Sequence, residues 1–129
     1  MKIHHIGYLV KKIDKSIPLF NTLGYELTKD VYYDAVRKSH ICFMENGGIT
    51  IELVCPERDS DIYPLLKKYV NTPYHICYAV EHIDTAIAAL TNNGWLLFKD
   101  KAPAPAISDT AEVAFLMHTN AGIIELVAD

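Results

Sequence analysis

The 129-residue sequence predicts an α+β fold built from two copies of one module, each a strand, a helix and three further strands. Three observations predict it. HHIGYLV at 4–10 returns as YHICYAV at 74–80. TIELV at 50–54 returns as IIELV at 123–127. Between these ends the copies stay in register at an offset of 70: His5 with His75, Ile6 with Ile76, Tyr8 with Tyr78, Val10 with Val80, Ile13 with Ile83, Asp14 with Asp84, Ile17 with Ile87 and Gly24 with Gly94. A self-match at fixed period is the mark of a repeated structural unit, and two copies make a paired-module fold rather than a solenoid array.

The elements follow in order. KIHHIGYLV is β-branched and aromatic, so it is a strand. Asp14 stands where an N-cap belongs, before SIPLFNTL, with Pro18 in the tolerated first turn. Gly24 follows the last apolar residue and stops the helix. Three extended segments come next: YELTKDVYYD, KSHICFME and ITIELVC. The second copy repeats the plan with YHICYAV, Asp84 before TAIAALTNN, Gly94, then WLLFKD, EVAFLMHT and GIIELVA. Asn46-Gly47-Gly48 and Asn120-Ala121-Gly122 supply turn chemistry between the last two strands of each copy. Residues 1–129 thus form a single domain of two repeats, 1–55 and 74–129, joined by a linker at 56–73 in which DIYPLLKKYV forms a short helix at Pro64. KAPAPAISDT at 101–110 is an irregular, extended loop that lies over something.

Composition excludes several functions. The net charge is −4 with both signs dispersed and no basic stripe, which argues against a nucleic-acid partner. No stretch approaches the roughly 20 apolar residues of a membrane helix, and MKIHHIGYLVKK is too short and too soon charged for a secretory signal. Cys42, Cys55 and Cys77 are odd in number and lack CxxC spacing, so they read as reduced thiols of a cytoplasmic protein.

Strand parity assigns faces. Ile6, Tyr8 and Val10 face the helix, and His5, Gly7 and Leu9 face away. Ile76, Tyr78 and Val80 repeat this, with His75, Cys77 and Ala79 opposite. Glu52 opposes Ile51 and Leu53, and Glu125 opposes Ile124 and Leu126. His5, Glu52, His75 and Glu125 all leave the helix-packed face, with a small residue, Gly7 or Cys77, two positions beyond each histidine, which leaves room for a ligand. A lone strand histidine is ordinarily structural, but four ligand-type residues placed equivalently by a repeat predict one metal site. Imidazole with carboxylate suits Zn, Ni, Co, Mn or Fe rather than a thiolate-selective ion. His4 points the other way and is structural. His40 on strand 38–45 is a candidate base or substrate contact, while His82 and His118 are surface residues. Glu45, Glu57, Asp59, Lys67 and Lys68 read as solvated charges, and neither a Cys–His–acid arrangement nor a phosphate-cradling glycine loop is present.

HHIGYLVKKIDKSIPLF, ITIELVCP, YHICYAVEHIDTAI and GIIELVA together resemble the vicinal oxygen chelate superfamily, which includes glyoxalase I, over nearly the whole chain. The resemblance implies two βαβββ modules forming a curved, cup-like mixed sheet around a divalent metal held at His5, Glu52, His75 and Glu125, and frequent homodimerisation. Within that superfamily, ERDSDIYPLLKKY with YHICYAVEHID, and VAFLMHTNAGIIELV, look most like methylmalonyl-CoA epimerase and the glyoxalase-like proteins around it. PAPAISDT departs from the Gly-, His- and Lys-containing loop usual in epimerases, and no clear glutamate stands at their second base position.

The expected function is a divalent-metal-dependent (Zn, Ni, Co or Mn) isomerase or lyase that abstracts a proton next to a chelated carbonyl. Its substrate is an acyl-CoA thioester, epimerase-like, or a glutathione hemithioacetal, lactoylglutathione lyase-like. Glu125 is the first choice of catalytic base and Glu52 the second. The alternatives are a non-catalytic small-molecule binding or resistance protein of the same fold, and a dioxygenase with a 2-His-1-carboxylate iron site, against which Glu52 counts as a fourth ligand-type residue.

Overall fold

A computed structural model describes residues 1–129. The chain has an α+β fold of two βαβββ modules. It divides into two compact units, one of His5–Tyr74 and one of Met1–His4 with His75–Asp129.

The first unit contains β1 (Lys2–Leu9, of which residues 2–4 group with the second unit), α1 (Ile13–Thr22), β2 (Glu26–Asp34), β3 (Ser39–Asn46) and β4 (Ile49–Pro56). The strands lie in the order β2-β3-β4-β1, with β1 parallel to β4 and the other pairs antiparallel. Parallel pairing of β1 with β4 needs a crossover, and α1 with β2 and β3 supplies it. Val10, Ile13, Cys42, Met44, Ile51 and Leu53 form the buried core, with Ile6, Tyr8, Ile17 and Phe20 against it. Ile6, Tyr8, Val10, Ile51 and Leu53 among them are the residues that alternation assigned to the helix side. A linker of a short 3-10 turn, Tyr63–Leu65, and α2 (Leu66–Tyr69) follows β4, with Pro64 near the start of the turn as expected.

The second unit repeats this with β5 (Thr72–Ala79, of which residues 72–74 group with the first unit), α3 (Ile83–Thr91), β6 (Leu96–Pro103), β7 (Glu112–His118) and β8 (Gly122–Ala128). Their order is β5-β8-β7-β6, and β5 runs parallel to β8. Ile83, Ala86, Ala114, Leu116, Ile124 and Leu126 form the core beneath α3, with Tyr78 and Val80 packed against it. Ile76 is 37% exposed and stays outside that core. No helix is long and apolar enough to cross a membrane.

Both helices end as the glycines require. Gly24 has φ +98°, its N–H donates to Asn21 O, and Tyr25 N donates to Phe20 O, which closes the last turn in a Schellman motif. Gly94, at φ +89°, does the same with Thr91 and Leu90. The helix starts differ from expectation. Lys12 and His82 occupy the N-cap positions in extended backbone, without a side-chain cap bond, and Asp14 and Asp84 sit inside the first turn. Ile13 and Ile83 are buried, so the helix must begin there, and each aspartate acts on the helix dipole instead of capping.

KAPAPAISDT is only partly a loop. β6 extends through Pro103, with Ala102 opposite Val113 and Pro103 opposite Glu112. Proline is tolerated there because β6 is an edge strand of its unit and the proline ends it. The rest lies over apolar surface, as expected: Ala104, Ala111 and Ile107 pack with Cys77, Val113, Phe115 and Val127. The space beside Cys77 is therefore filled by this loop, not left open for a ligand.

Asp34 closes the turn between β2 and β3. Its Oδ1 accepts from the backbone N–H of Val36 (2.9 Å) and Arg37 (3.0 Å), and its Oδ2 accepts from Arg37 Nη1 at 2.7 Å. The carboxylate is 1% exposed, so removing it leaves a nearly buried guanidinium and two N–H groups without their acceptor. Asp34→Ala is expected to cost roughly 3 kcal/mol in denaturant unfolding, and Asp34→Asn, which keeps an acceptor, visibly less. Equal losses for the two variants would refute the turn-closing role.

Candidate functional site

Each unit brings one of the histidines and one of the glutamates together. In the first, the parallel register sets Gly7 opposite Glu52. His5 Nε2 lies 3.4 Å from Glu52 Oε1. In the second, Cys77 stands opposite Glu125, and His75 Nε2 lies 3.4 Å from Glu125 Oε1. All four residues are buried, none more than 6% exposed. Burying ionisable groups is costly unless they are paired or coordinate an ion.

The 3.4 Å separation, the same in both units, lies beyond the roughly 2.7–3.2 Å of an N–H···O hydrogen bond. Two donor atoms held about 2.1 Å from one ion at a tetrahedral angle stand about 3.4 Å apart. Imidazole nitrogen with carboxylate oxygen is also the donor chemistry of Zn and its first-row neighbours. Each pair therefore fits half of a metal site.

Two residues that the sequence reading passed over complete the symmetry. Phe43 is the cross-strand partner of Glu52, and its ring meets His5 edge-on, centroids 5.4 Å apart. Phe115 partners Glu125 and meets His75 edge-on at the same 5.4 Å. These contacts fix the imidazole planes and keep the pairs dry. Their signal was present in the repeat, as CFME against AFLM, but an inventory of polar residues does not look for phenylalanine.

The remaining candidates fall elsewhere. His40 pairs with Cys55 across the strands, on the face opposite Glu52, and its Nε2 lies 3.0 Å from Glu57 Oε1. It is not a base for chemistry at the His5–Glu52 pair; with Glu57, Arg58 and Lys67 it lines a separate groove. His4 and His82 are exposed. His118 is half-buried beside the Trp95 ring, its Nδ1 accepting from Asn120 N at 3.0 Å. None of the three cysteines is in a disulfide. Burial, with the negative charge of Glu52 second, pushes the Cys42 thiol up to about 12, so it is a neutral core group and not a nucleophile.

The profile of the family described as the Glyoxalase/Bleomycin resistance protein/Dioxygenase superfamily matches residues 4–115. The chain belongs to that superfamily. Both His–Glu pairs, except Glu125, fall within the matched span. No curated protein matches the sequence closely enough to count as a relative. Among solved structures, a hypothetical protein, BH1468, from Bacillus halodurans C-125 is 26% identical, with a TM-score of 0.84 over 99% of this chain and 94% of that one. A variant of the Streptomyces coelicolor methylmalonyl-CoA epimerase in complex with 2-nitronate-propionyl-CoA is 20% identical, with a TM-score of 0.82 over 100% of this chain and 94% of that one. A methylmalonyl-CoA epimerase in complex with methylmalonyl-CoA and NH4+ is likewise 20% identical, at 0.81 over 99% and 94%. At these identities the epimerases share the fold of this member of the superfamily.

Proposed function

We propose that this member of the superfamily is a divalent-metal-dependent isomerase or lyase that removes a proton from the carbon beside a carbonyl. The observation that carries it is the pair of equivalent, buried His–Glu contacts at 3.4 Å. His5, Glu52, His75 and Glu125 would together hold one ion, Zn, Ni, Co or Mn by donor type. When bound, such an ion supplies Lewis acidity that makes the neighbouring C–H more acidic.

The chain's own residues do the rest. Glu125, buried beside Phe115, takes the proton. Glu52 is the second acid–base group and returns a proton in an epimerisation. His5 and His75, held by their phenylalanine contacts, orient the two carboxylates. An acyl-CoA thioester is the favoured substrate class, because structural neighbours are described in complex with 2-nitronate-propionyl-CoA and methylmalonyl-CoA. A glutathione hemithioacetal is the second. Three cysteines outside any disulfide fit a reducing compartment such as the cytoplasm, and the protein is proposed to work as a homodimer.

A paired assay on metal-loaded protein tests this. Deuterium is expected to enter the 2-position of methylmalonyl-CoA, with slower or no thioester formation from methylglyoxal and glutathione. The reverse order would move the protein to lyase chemistry. Silence in both, with metal bound, would replace catalysis by small-molecule binding.

A further inference from the structure

A second groove, apart from the His–Glu face, runs along α1 on the helix side of the first unit. Its volume is ≈ 450 Å³, within the range of small-molecule sites. Leu19, Phe20 and Leu23 line it along the helix, and Lys11, Lys12 and Lys15 line it toward the helix start. Leu19 and Leu23, four residues apart on one helical face, are each 67% exposed. Two other lysines are neutralised, Lys38 by Asp59 at 3.1 Å and Lys101 by Asp84 at 2.7 Å. The three groove lysines enter no ion pair, and the nearby Asp14 is not part of the lining. The Lys11 N–H donates to Asn71 Oδ1 at 3.1 Å, which ties the linker across that end.

The repeat provides an internal control. In the second copy the positions of Lys11, Lys12 and Lys15 are Glu81, His82 and Thr85, and those of Leu19 and Leu23 are Ala89 and Asn93. The shared frame, Tyr8 with Tyr78 and Val10 with Val80, is unchanged. Packing therefore does not require the leucines or the lysines, since the sister helix is built without either. Only the first copy combines an apolar strip with a cationic end.

We propose that this groove binds a single-chain aliphatic carboxylate, its chain along Leu19, Phe20 and Leu23 and its head group among Lys11, Lys12 and Lys15. Residues 12–23 span about 16 Å of helix axis, the scale of a medium-chain fatty acid. Ammonium groups on flexible stems suit a compact anion approached from several sides. The site is independent of the metal chemistry proposed above.

The test is an NMR titration of the full chain with hexanoate, octanoate and decanoate, with 1-octanol as the uncharged control. Saturable shifts confined to residues 11–23 and 71 are expected, tightening with chain length by up to about tenfold per two carbons, with 1-octanol at least tenfold weaker than octanoate. Lys12→Glu/Lys15→Glu is expected to remove the preference for the anion. Leu19→Ala/Leu23→Asn, the sister helix's own residues at exposed positions, is expected to remove the chain-length dependence while circular dichroism and thermal midpoint stay unchanged. Shifts elsewhere, absence of saturation, or equal binding by both variants would overturn the proposal. So would sedimentation showing that the Leu19→Ala/Leu23→Asn protein is monomeric where the parent is dimeric, which would assign the strip to a second copy of the chain.

Discussion

Glu125→Gln is expected to lower deuterium exchange at the substrate carbon by about 10²–10⁴-fold, the contribution of a positioned general base. The exchange is assayed on metal-loaded protein by mass spectrometry, with metal content measured on the same sample. The substitution is nearly isosteric, and Glu125 is 3% exposed, so a glutamine fills the same space against Phe115. It keeps an oxygen that can face an ion and loses the basic electron pair of the carboxylate. Retained metal with lost exchange separates the role of base from that of ligand. Glu52→Gln, in the equivalent place of the other unit, is expected to impair epimerisation more than wash-out of a single proton. Full exchange in Glu125→Gln would remove Glu125 as the base, and a larger loss in Glu52→Gln would exchange the two assignments.

The repeat made most of this architecture legible, because each element was written twice. Alternation in HHIGYLV and TIELV sorted His5 and Glu52 from Ile6, Tyr8, Ile51 and Leu53, and the core bears out that division. The second copy repeated it for Tyr78, Ile124 and Leu126. What failed was local. Asp14 and Asp84 have the side chain of an N-cap, yet burial of Ile13 and Ile83 starts each helix two residues earlier, so tertiary packing overrides cap preference. Pro103 looked like a loop residue, but the end of an edge strand does not need its N–H. Cys77 looked like open space because its side chain is small. The loop that fills it comes from 27 or more residues away, and residue size carries no information about such a neighbour. His40 was ambiguous only until the register placed it opposite Cys55, on the far face from Glu52. The phenylalanines were missed for a different reason: they have no chemistry of their own, and they enter the site only through edge-on contacts with the rings of His5 and His75.

His5→Ala and His75→Ala decide whether the two pairs act as one site. A single ion shared by His5, Glu52, His75 and Glu125 gives one metal per chain, and loss of either imidazole is expected to remove it almost completely. The double variant would then be no worse than either single one, since residues acting as a unit are strongly non-additive. Two independent half-sites give up to two metals per chain, and each single variant keeps one. Metal analysis after dialysis against a weak chelator reads the difference directly. Stability gives a second reading that does not depend on activity. Ion binding to the folded state alone adds about 2.7 kcal/mol at a hundredfold excess over Kd, so the parent's thermal midpoint should rise with added Zn, Ni, Co or Mn and that of both single variants should not. The two-ligand alternative is weaker on physical grounds. A His–Glu pair alone supplies two of the four positions that a structural or catalytic ion of this class uses, and its affinity would rest on solvent for the rest. The duplicated frame offers the missing two ligands from the same chain, each in the same contact with its partner and each against the same kind of ring. Metal retention in either single variant would therefore overturn the shared site while leaving the fold and the family unaffected.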